Sequence, residues 1–248
     1  MARRERIDKL LVEKGIIHSR ERARTSIMAG KVMVEGQTID KPGTKVKVEA
    51  QIQVRGEDQP YVSRGGIKLE GALNEFGMDP RGMVVMDVGA STGGFTDCVL
   101  QKGAKKVYAV DVGYGKLAWK LQKDQRVVNM ERRNIRYLNK EEIPEEVDLI
   151  LIDTSFISIE KFLSHLLGFL KGGGTLISLI KPQFEVGKGE VGKGGVVRDP
   201  ILHQEVIDRI SQFSQGLGLS ILGIAESVLL GPKGNKEFFI YLKKQDLT

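Results

Sequence analysis

The stretch Asp87-Val88-Gly89-Ala90-Ser91-Thr92-Gly93-Gly94-Phe95-Thr96 lies between the apolar run Val84-Val85-Met86 and the helix-compatible Asp97-Cys98-Val99-Leu100. An apolar run that breaks at glycines and restarts as a helix is the opening of a β-α unit, and the glycines let backbone approach a ligand where a sheet changes direction. Outward from this unit the grammar repeats. Val107-Tyr108-Ala109-Val110-Asp111 reads as a second strand, Val127-Val128 as a weaker third, and Asp148-Leu149-Ile150-Leu151-Ile152-Asp153 as a fourth. Leu176-Ile177-Ser178-Leu179-Ile180, Ile221-Leu222-Gly223-Ile224-Ala225 and Glu237-Phe238-Phe239-Ile240-Tyr241-Leu242 complete the series. Continuous Val/Ile/Leu runs separated by helical lengths are strands covered on both faces. The fold class is therefore α/β, with a doubly wound, mostly parallel seven-stranded sheet.

The second strand ends at Asp111, about 20 residues past the glycines, where a carboxylate can accept both ribose hydroxyls of an adenosine cofactor. Glycines and an acid at this distance suit NAD and S-adenosylmethionine alike. The order of the glycines separates the two. G-x-x-x-G-G lacks the close pair of G-x-G-x-x-G that admits a pyrophosphate. The plainer alternative is that Gly93 and Gly94 only allow tight strand–helix packing.

The 248 residues, 41% hydrophobic and 28% charged, are those of a globular protein, long enough for two modest domains. Cys98 is the only cysteine, which excludes an intrachain disulfide and a cysteine-rich zinc site; the scattered His18, His165 and His203 suggest no metal. The first residues lack the apolar core of a signal peptide, and no apolar run reaches the ~20 residues that span a bilayer, so a cytoplasmic location is expected. Charge is concentrated at the N-terminus. Residues 1–50 hold twelve Lys or Arg against seven Asp or Glu, +5 of the chain's +6. Such a surplus fits a polyanionic partner, or simply a basic solvated surface.

This N-terminal segment reads as two helices and short strands. Ile7, Leu10, Leu11 and Lys14 share a helix face that Gly15 can close, and Ser19 is placed to cap a second helix running to Gly30. Val32-Met33-Val34, the turn Glu35-Gly36, a further short strand, Pro42-Gly43 and Val46-Lys47-Val48 follow. "RIDKLLVEKGIIHSRERARTSIMAGKVMVEGQTIDKPGTKVKVE", residues 6–49, resembles the S4 RNA-binding domain, with the likeness covering essentially all of 5–49. That resemblance implies a small α+β module that follows RNA backbone and shape, with Ser19, Arg20, Arg24, Lys31 and Lys47 as candidate contacts. The expected boundaries are an S4-like domain at 1–58, a polar, turn-rich linker at 59–66 and an α/β catalytic domain at 67–248.

Four residues are of types that activate a weak hydroxyl acid: Asp153, Lys181 and Glu237 stand at strand ends, and Lys68 lies in the helix that starts after Gly65-Gly66. Lys181 is followed by Pro182, in Ile180-Lys181-Pro182-Gln183-Phe184-Glu185. The carboxyl ends of parallel strands are where such sheets place their chemistry. For Lys68 and Glu237 a surface ion pair is the plainer alternative.

The "D.GA..GGF" loop resembles motif I of class I methyltransferases, in the form found in FtsJ-like ribose 2′-O-methyltransferases. With the S4 segment, "YVSRGGIKLEGAL", "DTSFIS" and "IKPQFE", the whole chain resembles the TlyA family, whose members carry both hemolysin and ribosomal RNA cytidine 2′-O-methyltransferase names. The resemblance implies a Rossmann-like domain using S-adenosylmethionine on ribosomal RNA or ribosomal subunits. It places Gly89, Ser91, Gly93, Gly94 and Phe95 around the methionine moiety, Asp111 on the ribose and Asn134 at the adenine. It makes Lys181 the activator of the hydroxyl, Asp153 its orienting partner, and Lys68 and Glu237 the rest of a Lys-Asp-Lys-Glu tetrad. A hemolysin would need an amphipathic or apolar segment able to enter a bilayer; none is read here, and membrane association is not expected. An RNA-binding protein on an inactive methyltransferase fold would be expected to have lost Lys181 or Asp153.

The glycine-rich stretch 184–199 reads as a mobile loop closing over RNA, with Lys188, Lys193 and Arg198 reaching phosphates, or as a flexible solvated loop. Cys98 is expected to be a small buried residue, and Trp119 to pack in the core, with flanking the cofactor as the alternative. Oligomeric state is not legible.

Overall fold

The computed structural model describes residues 3–17, 19–55, 60–187 and 189–246. The chain folds as two compact units, Met1–Gln59 and Pro60–Thr248.

In the first unit β1 (Arg4–Arg6) leads into α1 (Ile7–Glu13) and α2 (Arg20–Met28), followed by β2 (Val32–Val34), β3 (Gln37–Ile39), β4 (Lys45–Lys47) and β5 (Ile52–Val54). β2 pairs antiparallel with β3 and β5, and β1 with β4. Ile7, Leu10 and Leu11 from α1, and Ala23 and Ile27 from α2, meet Val32, Val34 and Val46 in one core. Lys14 ends α1 as its C-cap and Gly15 turns the chain at φ +68°, while Ser19 Oγ accepts from Arg22 N at 3.2 Å to start α2. Asp8 is buried beneath Arg6 and Arg20, at 3.0 and 3.2 Å. The Arg6 guanidinium, with Arg20 behind it, holds the Asp8 carboxyl down to about 2.

The second unit begins with α3 (Arg64–Glu75), β6 (Val84–Val88), α4 (Gly94–Gln101), β7 (Lys106–Asp111), α5 (Trp119–Gln122) and β8 (Val127–Glu131). It continues through β9 (Val147–Ile152), α6 (Leu163–Leu166), β10 (Leu170–Ile180), α7 (Pro182–Glu185), α8 (Pro200–Gly216), β11 (Leu219–Glu226) and β12 (Phe238–Lys244). Its sheet has the order β11-β12-β10-β9-β6-β7-β8, with β12 antiparallel to both neighbours and the remaining pairs parallel. Alternate residues of β6 serve opposite layers. Val84, Met86 and Val88 pack with Leu163 and Leu166 of α6 and Val206 and Ile210 of α8. Val85 packs with Leu69 and Leu73 of α3 and Val99 of α4. Two buried faces explain why the strands read as unbroken apolar runs.

Two expectations are corrected. Residues 61–66 are not a linker: Tyr61 is 4% exposed, Val62 N donates to Asp97 Oδ2 at 2.8 Å, and α3 starts at Arg64. Gly66 is there for close packing, since a Cβ on it would run into the Tyr61 ring. Trp119 is not a core residue. It is 63% exposed with Lys123 Nζ 5.3 Å above its ring, because Leu117 and Leu121 take the inward positions around it.

Candidate active site

The chain runs from β6 outward to β7 and β8, then returns to place β9 on the other side of β6. The crevice between the carboxyl ends of β6 and β9 is the switch point of the sheet. There Gly89 N and Ala90 N donate to Val110 O at 2.9 and 3.2 Å, and Asp153 N donates to Val88 O at 2.9 Å. Gly89 holds φ +86°, and a Cβ on it would stand 2.6 Å from Asp153 O. A cleft of about 290 Å³ opens here, floored by Gly89, Ala90, Ser91 and Thr92 and walled by the starts of α3 and α4.

Two lysine–carboxylate pairs line it. Lys68, on α3, donates to Glu237 Oε2 at 2.5 Å, and both side chains are buried. Glu237 precedes β12, and Gly231 lies so close to its other oxygen that a Cβ there would collide with Oε1. Lys181 Nζ lies 2.6 Å from Asp153 Oδ1 and donates to Ser155 Oγ at 3.0 Å. β9 and β10 run parallel with Ile152 opposite Ser178, so Asp153 and Lys181 both leave the sheet at its carboxyl edge, and Pro182 starts α7 directly after the lysine. Asp87 forms the floor. Its Oδ2 accepts from Thr96 N and Oγ1 at 2.9 and 2.6 Å, whereas its buried Oδ1 has no partner. Burial pushes the Asp87 carboxyl up to about 7 against the Thr96 hydroxyl bond, with the Asp153 charge adding to the rise.

Of the remaining residues expected at a cofactor, Gly89, Ser91, Gly94 and Phe95 line the cleft. Gly93 points elsewhere: at φ +94° it starts α4, with the Leu117 and Leu121 side chains against its Cα. Asp111 ends β7 outside the cleft lining, where Oδ2 accepts from Ser91 N at 2.8 Å and Oδ1 from Gly113 N at 2.6 Å. It thereby shapes the loop that forms the floor. Asn134, after β8, accepts from Arg136 N at 3.1 Å and starts a 3₁₀ turn.

An FtsJ-like methyltransferase family model matches residues 61–244, and an S4 domain model matches residues 5–52. A Mycobacterium tuberculosis protein named 16S/23S rRNA (cytidine-2′-O)-methyltransferase TlyA is 46% identical over 246 residues, covering 99% of this chain and 92% of the relative. The chain belongs to the TlyA family of FtsJ-like methyltransferases. Brachyspira hyodysenteriae hemolysin A, 40% identical over 95% of this chain and 98% of its own, is a further relative in this TlyA group. A solved structure of a candidate hemolysin from Streptococcus thermophilus aligns with a TM-score of 0.76 at 42% identity, over 99% of this chain and 90% of that one. As a TlyA-family member the chain is an S-adenosylmethionine-dependent RNA methyltransferase. Among the described residues no helix is long and apolar enough to cross a membrane.

The residues present fit that methyl donor. Glycine leaves the backbone of the floor open to close approach, and the unpartnered Asp87 Oδ1 offers a buried acceptor to a cationic group.

Reading the sequence missed several contributors. Ser63, Arg64 and Gly65 line the cleft, as do Leu230, Gly231 and Pro232. Asp87 stood inside the quoted motif as its only acid before Asp97, and an acid ending an apolar strand is the signal that marks it. Phe156 was quoted only as part of "DTSFIS". It is 88% exposed at φ +67°, with its ring centroid 4.7 Å from that of Phe184. It is a bulky residue held in the left-handed region and turned to solvent, three positions past Asp153.

Of the RNA-contact candidates, Arg24, Lys31, Lys47, Lys193 and Arg198 are exposed. Arg20 is engaged with Asp8 and Ser19 with its helix cap, and Lys188 lies outside the described residues. The glycine-rich stretch is anchored at its far end. Val196 and Val197 are buried, and Gly192 N donates to Val196 O at 3.1 Å. The picture of one free lid therefore does not extend past Gly192.

Proposed function

We propose that this chain methylates the ribose 2′-hydroxyl of cytidine in cytoplasmic ribosomal RNA, acting on naked RNA or on a ribosomal subunit. The observation that carries this reading is the Lys181–Asp153 pair. It stands beside the glycine loop with its carboxylate side open, where an incoming hydroxyl can reach it. The names of the mycobacterial relatives support the choice of nucleoside and RNA.

When bound, S-adenosylmethionine supplies a methyl group on a positively charged sulfur. Gly89, Ser91, Gly94 and Phe95 would hold its methionine end, with Gly93 setting the start of α4 behind them and Asp87 as the carboxylate available to its ammonium. Asp111 holds the ribose and Asn134 the adenine. Lys181 hydrogen-bonds the attacking 2′-oxygen and stabilises the negative charge that builds there, while the Lys181–Asp153 pair takes up the hydroxyl proton. Lys68 and Glu237 fix the wall against which the ribose is aligned. Phe156 offers its exposed ring to the base of the target nucleotide. Arg24, Lys31 and Lys47, with Arg20 and Ser19 at the start of α2, follow the RNA backbone, and Lys188, Lys193 and Arg198 reach phosphates.

The test is transfer of labelled methyl from S-adenosylmethionine to ribosomal subunits and to naked ribosomal RNA, comparing the wild type with Lys181→Ala. Nuclease digestion then locates the label. Label on the 2′-oxygen of a cytidine, lost in the variant, is the expected result. Label on a base, or undiminished transfer by the variant, removes the proposal.

A further inference from the structure

Asn235 is 3% exposed, and each polar atom of its side chain is engaged. Its Oδ1 accepts from Val197 N at 3.0 Å; its Nδ2 donates to Gly195 O at 3.0 Å and to Pro232 O at 3.1 Å. Its backbone closes the same turn, since Gly231 N donates to Asn235 O at 2.8 Å. One buried amide thus joins two segments that the chain separates by a helix and a strand: the end of the glycine-rich stretch, and the turn from Gly231 that delivers Glu237.

That turn is constrained at the other end by the site itself. Gly231 lies directly against Glu237 Oε1, and Ser227 N donates to Glu237 O at 2.9 Å. A shift of the 231–235 turn therefore either drives Gly231 into the carboxylate or lets the carboxylate move away from Lys68. Lys233 Nζ, donating to Gly194 O at 2.8 Å, adds an exposed second tie between the same segments.

We propose that Asn235 is a positioning residue for catalysis: by pinning the 195–197 backbone to the Gly231–Glu237 turn, it holds Glu237 on Lys68 and makes the setting of that pair depend on the glycine-rich stretch. The inference rests on the reading of Lys68 and Glu237 as part of the site. An unpaired amide here would also leave buried backbone groups without partners, so loss of stability alone is not its signature.

A double-mutant cycle between Asn235→Ala and Glu237→Gln separates the two roles, using single-turnover methyl transfer to ribosomal RNA with the full-length chain. Misplacement of a site group by about 1 Å costs up to about a hundredfold in rate, so Asn235→Ala is expected to lower the methyl-transfer rate about ten- to hundredfold. Glu237→Gln and the double variant are expected to react at the same rate, because Asn235 has nothing left to position. Equilibrium binding of S-adenosylmethionine is expected to change less than about threefold, since Asn235 does not touch the floor of the cleft. Multiplying losses in the double variant, or a wild-type rate in Asn235→Ala, overturns the proposal. If Glu237→Gln itself reacts at the wild-type rate, the underlying reading of the pair fails instead. Should Asn235→Ala not fold, Asn235→Asp keeps the acceptor for Val197 N, removes both donors, and serves for the same cycle.

Discussion

Lys68 and Glu237 meet inside the fold with the carboxylate side chain fully buried, whereas Lys181 and Asp153 meet at the cleft with the carboxylate side chain 26% exposed. The first pair joins residues distant in sequence, from α3 and the approach to β12. The second joins the ends of two adjacent parallel strands. In the buried pair the surrounding fold dictates one geometry, and Gly231 presses on the free oxygen. In the open pair Asp153 Oδ1 is buried against Lys181 Nζ at 2.6 Å, and the rest of the carboxylate side chain gives the pair its exposure at the cleft. In the proposed function the open pair serves the chemistry and the buried one the architecture.

The contrast is tested most severely at the lysines. Lys181→Ala is expected to lower the methyl-transfer rate by about 10²–10⁴-fold, the range for losing a positioned acid–base group, with thermal unfolding near wild type. Lys181→Arg is not expected to rescue it, because the always-protonated guanidinium cannot take part in taking up the hydroxyl proton and does not fit the same point. Lys68→Ala should instead register first in stability. It leaves Glu237 buried and unpaired, which costs roughly 3–5 kcal/mol, readable in chemical denaturation. Replacing both partners, as Lys68→Met with Glu237→Leu, should recover most of that stability and none of the activity. A stable Lys68→Ala variant would erase the distinction between the pairs.

The sheet was legible because its strands are buried on both faces, and an unbroken apolar run such as Leu149-Ile150-Leu151-Ile152 has no other reading between polar turns. Strand ends were less so: β10 begins at Leu170 and passes through Gly172-Gly173-Gly174, which carries no β signal and breaks register with β9. Three of the tetrad residues are legible as residue types at strand ends and Lys68 as one in a helix, and the fold brings all four to one cleft. Whether Gly93 faces ligand or protein could not be read, since the sequence demands glycine equally for both; Leu117 and Leu121 decide it. Likewise Ser63-Arg64-Gly65-Gly66 has the composition of a tether. Only the Tyr61 ring against Gly66 shows it to be the packed start of a helix.

Phe156 lies on the open side of the comparison, and its effect should be smaller and of a different kind. Stacking of a base on an aromatic ring contributes about 1–3 kcal/mol, so Phe156→Ala should weaken RNA engagement by roughly five- to a hundredfold in KM or Kd. Phe156→Tyr should retain most of it. Binding of S-adenosylmethionine should be unchanged. A Phe156→Ala variant that lost cofactor affinity would mean that the ring supports the cleft, and the open pair would lose its nearest candidate for holding a nucleotide.

Asp87 sharpens the comparison from beneath, because it is a buried carboxylate with neither lysine as its partner. Burial raises its folded-state value from 3.8 to about 7. The folded protein therefore keeps a proton there that the unfolded chain gives up, so this group's contribution to stability is lost as pH rises from about 4 through about 7. A ligand ammonium works in the opposite sense, since it needs the carboxylate. Affinity for S-adenosylmethionine should then strengthen by about tenfold between pH 6 and pH 8, as expected for one group titrating near 7. Asp87→Asn should flatten that rise, and it should also remove the fall in thermal stability of the unliganded protein over the lower part of the range. A pH-independent affinity in the wild type would mean that Asp87 is held in one protonation state throughout. In that case its free oxygen serves the packing around Thr96, and the cationic end of the cofactor must be met by Asp153, which would draw the open pair into binding as well as chemistry.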